Sequence, residues 1–255
     1  QRLVRCGYLL AMKRSRFLVF CVAGAGYLVV CTALGEERKP NAGVNRSIEV
    51  PCRKVPVDVS GASQEEHQLI CEAAVHAADL LGQCELKTHR RIRVHVTKSP
   101  PTVCGVHAFG SFDVKAHRIR LVDARTCRKM ANANDAYASL PYREFYKSLV
   151  VHEVAHFIFR SSLDKRAVSH TTHEYVAYAI QIASMPSYVR DRFLKSFRRK
   201  PPTDLSPFVD MVYLMSPAYF GALAYDHYSA PGNGCRILRE IVEGQIEFPA
   251  PEALE

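Results

Sequence analysis

The spacing of apolar residues changes character three times along the chain. Residues 36 to 62 hold short alternating stretches broken by Pro40, Pro51 and Pro56, the pattern of an extended arm with one strand. From Ser63 the period becomes helical. Leu69, Ile70, Ala73, Ala77, Leu80 and Leu81 fall on one face, and Ser63 with Glu66 makes a capping box, which predicts a helix over 64–82. Strand spacing follows: "RIRVHVT" from Arg91 places Ile92, Val94 and Val96 on one side and stops at Pro100-Pro101. "GVHAFGSFD" and "HRIRLVD" predict two further strands joined around residues 113 to 117, with a polar alternation suited to a sheet with one solvated face. Beyond the polar link "NANDAYASLP" the pattern is helical to about residue 243, with Pro141 near the start of the first helix. The chain therefore predicts one α+β domain over 36–255, sheet-containing to 130 and helical from 131, without internal repeats.

The N-terminal segment has a different character. Lys13, Arg14 and Arg16 precede an apolar run from Phe17 to Gly35 that ends in small residues, the layout of a signal peptide cleaved after Gly35. Residues 1–11, ahead of Met12, read as an upstream extension of the reading frame. The competing reading is an uncleaved membrane anchor over 17–35. Either way the rest of the chain is exported, to the periplasm or the extracellular space. Of nine cysteines, Cys6, Cys21 and Cys31 lie in that segment, leaving six: Cys52, Cys71, Cys84, Cys104, Cys127 and Cys235. An even set in an exported protein predicts disulfides. Cys71 inside the predicted helix and Cys84 beyond its end are too far apart to pair. Cys104 and Cys127 bracket the predicted hairpin and are the expected pair. No Cys-x-x-Cys spacing supports a cysteine-based zinc knuckle.

Composition and charge narrow the function classes. A hydrophobic fraction of 48% and a charged fraction of 23% exclude disordered and collagen-like chains. Residues 1–35 carry five of the positive charges and no negative ones, so the net charge of +9 becomes +4 without them. No nucleic-acid partner is expected from so modest a balance. The run "RDRFLKSFRRK" at 190–200 reads as the solvated face of an amphipathic helix anchored by Phe193 and Phe197. Its competing use, in a membrane-anchored interaction module without metal, is on an anionic surface.

The chemistry lies in "LVVHEVAHFIF", residues 149–159, where eight apolar residues are interrupted only by His152, Glu153 and His156. Residues four apart share a helix face, so both imidazoles can reach one metal ion while Glu153 serves as general base. A second predicted helix, "HTTHEYVAYAIQIASM", carries Glu174 in its first turn, where it can supply a third ligand and leave one position open, as catalytic zinc requires. His170 and His173 are alternative third ligands. Glu174 also has a purely structural reading, as the closing residue of a capping box begun by Thr171.

On His152, Glu153, His156 and Glu174 the chain resembles the gluzincin type of zinc metallopeptidase, and in size and export signal one of the small exported bacterial proteins of that type. The resemblance covers about residues 141–185. It implies a zincin-like fold: a small twisted mixed or antiparallel sheet packed on the active-site helix, an edge strand that holds substrate extended, and a mostly helical C-terminal part. It implies Zn²⁺ and a peptide or protein substrate, a cell-wall peptide among them. It also implies a late Tyr or His that assists the carbonyl oxygen, for which Tyr225 and His227 are the candidates, with Asp226 as orienting partner. The gap of 17 residues between His156 and Glu174 is slightly shorter than in the best-known members. Glu174 also lacks the preceding Asn and the Asp four later that some members show. An exported zinc-binding structural or interaction protein without catalysis is the alternative.

Overall fold

The computed structural model describes residues 5–6, 19–23, 27–31, 50–52, 55–103, 106–131, 136–164 and 166–249. The chain divides into two units, residues 1–46 and 47–255. In the first, the strands Arg5–Cys6 (β1), Val19–Ala23 (β2) and Tyr27–Cys31 (β3) pair antiparallel. The rest of the predicted export segment, including the Gly35 junction, lies outside the described residues. Among the described residues no helix is long and apolar enough to cross a membrane.

The second unit is a mixed α+β body. Val50–Pro51 (β4) and Val57–Ser60 (β5) precede helix Gln64–Gln83 (α1), which leads to Ile92–Thr97 (β6). A small hairpin of Thr102–Val103 (β7) and Val106–His107 (β8) follows, then Gly110–Asp113 (β9) and Arg118–Val122 (β10). Five of these strands form one sheet in the order β4-β5-β6-β10-β9, with β5, β6 and β10 parallel and the two outer strands antiparallel. In β6, Ile92, Val94 and Val96 are buried while Arg93 is exposed. In β10, Ile119 is buried between exposed Arg118 and Arg120. This is the alternation of a sheet with one solvated face.

Among the described residues seven helices follow α1: Ala124–Met130 (α2), Tyr142–Ser162 (α3), His170–Ala183 (α4), Ser187–Lys195 (α5), Asp210–Met215 (α6), Pro217–Ser229 (α7) and Cys235–Glu243 (α8). The cap of α1 is the predicted box: Ser63 Oγ accepts from Glu66 N–H, and Glu66 Oε2 accepts from Ser63 N–H at 2.8 Å. Helix α3 is apolar nearly all round because it is central. It packs against α1, α4, β9 and β10, and buries Phe145, Tyr146, Val150, Val151, Val154, Phe157, Ile158 and Phe159. Phe193 of α5 is buried and stacks on Tyr137, which leaves the charged side of 190–200 largely in solvent.

Two expectations are corrected. "GVHAFGSFD" is not one strand: β8 turns back on β7, and the chain re-enters the main sheet only at Gly110, because Ala108 N–H bonds to Pro101 O and the Phe109 ring packs edge-on to Phe145. Residues 124–130, after the strand "HRIRLVD", form helix α2, capped by Asp123, whose Oδ1 accepts from Thr126 N–H at 2.6 Å. That places Cys127 inside a helix with its side chain in the core, so it is a free thiol and does not pair with Cys104. Burial pushes its thiol up to about 12, so it stays protonated and inert.

Among the described residues two disulfides tie α1 and its C-cap to distant chain. Cys52–Cys71 and Cys84–Cys235 close sequence separations of 19 and 151 residues. Chain-entropy arguments value such closures at about 3 and about 5 kcal/mol. Disulfides are the chemistry of an oxidising compartment.

Candidate metal centre

The polar interruptions of α3 meet polar residues of α4. His152 and His156 stand one turn apart on α3, and their Nε2 atoms converge to 3.0 Å. Glu174 of α4 completes a triangle, with Oε1 at 3.4 Å from His156 Nε2 and Oε2 at 3.6 Å from His152 Nε2. All three residues are buried or nearly so. The ligand atoms of a tetrahedral ion with bonds of about 2.0–2.1 Å lie about 3.3–3.4 Å from one another. The three separations bracket that value, and two imidazoles with one carboxylate are a zinc donor set.

Helix α4 begins earlier than the Thr171 reading assumes. Its N-cap is Ser169, whose Oγ accepts from Thr172 N–H at 3.1 Å, so Glu174 lies beyond the capping position. The structural reading of Glu174 as a cap is corrected. Its carboxylate turns to the histidines instead. Burial opposes the charge of Glu174, yet His156 and the hydrogen bonds from His156 and His170 hold its carboxyl well below the usual range. Burial likewise works against a charged His156, but Glu174 outweighs it and holds the imidazole above its ordinary value. Burial, with the neighbouring His156, pushes His152 down to about 3. Glu174 and His156 thus favour each other's charged forms, while burial favours a neutral His152.

Glu153 lies beside this triangle, on the side of the sheet edge. Its buried carboxyl is pushed up by burial to about 7, against the pull of His156. The last strand of the sheet, β9, approaches it so closely that a Cβ on Gly110 would stand 2.5 Å from Glu153 Oε1 and 2.9 Å from Cδ and Cγ. Gly110 is therefore a requirement of the Glu153 position that strand patterning does not show. Gly110→Ala is therefore expected to displace the Glu153 carboxylate from its place beside the triangle, and a crystal structure of the variant checks it.

The other predicted residues are placed as follows. His170 Nε2 is 3.4 Å from Glu174 Oε1, and its Nδ1 is 3.8 Å from Asp210 Oδ1 on α6. His173 packs its ring on Phe159 at 5.1 Å, and burial pushes it down to about 3. Tyr225 and His227 are engaged elsewhere. Arg190 lies over the Tyr225 ring, Asp226 pairs with Arg199, and His227 Nδ1 shares a 2.8 Å hydrogen bond with the Tyr175 hydroxyl in an aromatic cluster with Phe208.

Sequence reasoning missed two residues that line up with Glu174 on α4. Tyr178, one turn on, lays its ring against His152 at 4.5 Å, and Gly221 of α7 leaves room for it. Burial holds the Tyr178 hydroxyl well above its ordinary value, with Tyr137, Tyr213, Glu174 and Glu153 adding to it. Gln181, two turns on, accepts a hydrogen bond from His152 Nδ1 at 3.0 Å. The signal was present: both lie at helical spacing from Glu174 in a stretch otherwise apolar. A second group of metal-type side chains, Cys52, His67 and Cys71, has its sulfurs joined in a disulfide and offers no thiolate.

The model of a family of unknown function (DUF6639) matches residues 57–251, which contain every residue of the triangle and Glu153. No curated protein and no solved structure matches the chain.

Proposed function

We propose that this chain, which belongs to that family of unknown function, is an exported zinc-dependent hydrolase, a metallopeptidase of gluzincin type with a zincin-like fold. The observation that carries the reading is the convergence of three ligand residues from two helices, with the two imidazole Nε2 atoms 3.0 Å apart and the Glu174 carboxylate presenting one oxygen to each at 3.4 and 3.6 Å, beside a carboxylate that is not a ligand in the adjacent helix position. His152, His156 and Glu174 would hold Zn²⁺, which when bound supplies Lewis acidity to polarise a carbonyl and acidify a water.

The chain's own residues do the rest. Glu153, shielded from solvent between α3 and the edge strand β9, accepts the proton of the attacking water and returns it to the leaving amine. The outer side of β9 offers main-chain groups to an extended peptide. Tyr178, which keeps its proton, is a donor for the carbonyl oxygen and takes the role for which Tyr225 and His227 were candidates. The test is a peptide-library digest: cleavage that a chelator abolishes and zinc restores is expected, and no cleavage by zinc-loaded protein would overturn the enzyme reading.

One observation favours the non-catalytic alternative. His170, close to Glu174, would close the open position if it became a fourth ligand. X-ray absorption of zinc-loaded protein separates the two, since catalysis requires three protein ligands and a water.

A further inference from the structure

Gln181 is 1% exposed, on a part of α4 otherwise made of Ala179, Ile180, Ile182 and Ala183. A buried amide in such a setting needs partners at both its ends. They are His152 Nδ1 at 3.0 Å and Ser148 Oγ at 3.2 Å. The direction of these bonds follows from the far end of the chain. Ser148, itself 2% exposed, has a single hydroxyl proton and donates it to Phe145 O at 2.8 Å. Towards Gln181 its oxygen can then only accept, and it takes an N–H of Nε2. The amide oxygen faces His152, and because a carbonyl oxygen accepts only, His152 Nδ1 carries the proton.

An imidazole protonated on Nδ1 keeps its lone pair on Nε2. That is the atom 3.0 Å from His156 Nε2 and 3.6 Å from Glu174 Oε2. We infer that Gln181 is a positioning residue for the metal: with Ser148 and the Phe145 carbonyl it holds His152 in the Nδ1–H tautomer and aims Nε2 at the triangle. The inference rests on the zinc reading. The hydrogen-bonded chain leaves α3 at His152, crosses to α4 at Gln181 and returns to α3 at Ser148, one turn before the histidine, so it fixes ring orientation as well as tautomer. Partners of this kind raise metal affinity by orienting the ligand and raising its basicity, and an anionic partner raises basicity more than a neutral amide does.

The test compares zinc affinity, by competition with a chromophoric chelator, in wild-type protein, Gln181→Met and Gln181→Glu. Long-range proton–nitrogen correlation spectra read the His152 tautomer in the same samples. Met keeps the volume of Gln and removes the acceptor. The expected result is affinity about 10–100-fold weaker in Gln181→Met and at least as tight as wild type in Gln181→Glu. Wild type should show Nδ1–H, and Gln181→Met a mixture of tautomers. Should Gln181→Met not fold, Ser148→Ala gives a weaker loss in the same direction, with the same loss of a single tautomer. Equal zinc affinity in wild type and Gln181→Met, or an Nε2–H tautomer in wild type, would overturn the role of Gln181 and leave the metal centre standing. Wild-type protein that binds no zinc would overturn both.

Discussion

Glu153→Gln is expected to keep zinc and to lose hydrolysis by about 10²–10⁴-fold, the contribution of a positioned general base. The substitution keeps side-chain size and removes only the ability to accept a proton. Glu153 is not a corner of the triangle formed by His152, His156 and Glu174, so the metal should be unaffected. Its burial between α3 and Gly110 of β9 leaves little room for another group to take its place. Rates with a cleavable peptide, set beside zinc content in the same preparation, check this. Unchanged hydrolysis would remove Glu153 from the mechanism, and lost zinc would make it a ligand.

Removing a corner of the triangle should have the opposite signature. His156→Ala and Glu174→Ala are each expected to weaken zinc binding by at least about 10³-fold, more than the 10–100-fold typical of a partner outside the coordination sphere, and to lose hydrolysis with it. The metal-free folds should differ between the two. Glu174→Ala leaves His156 free to shed its extra proton and remain a neutral buried group beside His152, which burial already favours as neutral. His156→Ala leaves a buried carboxylate whose strongest charge partner is gone, and this costs stability. Thermal melts of both variants in chelator should place His156→Ala below Glu174→Ala. Zinc binding close to wild type in either variant would take that residue out of the metal centre.

Residues whose partners are near in sequence were readable from the chain. The Ser63–Glu66 box announces α1, and the four-residue spacing of His152 and His156 announces a shared face before any tertiary contact is known. What escaped depends on distant chain. Thr171 has the chemistry of a cap, but α4 already starts at His170 and Ser169 caps it, which frees Glu174 for the histidines. Gly110 falls inside a predicted strand with no local reason to be glycine, whereas its lack of a side chain is required by Glu153, 43 residues on. The hairpin pattern suggests pairing Cys104 with Cys127, but Cys127 belongs to a short helix with its own cap, and Cys84 finds Cys235 across 151 residues. Gln181 looked like a polar residue in an apolar helix, and its role appears only when α4 lies against α3.

The most direct measurement of the central claim is the zinc content of the purified, oxidised protein after zinc loading and removal of free metal, taken beside His156→Ala. About one zinc ion per chain in the wild type and almost none in the variant is the result expected of a three-ligand site. Well-folded wild-type protein without zinc would contradict the account, and would leave His152, His156 and Glu174 as a buried ion pair and imidazole joining two helices.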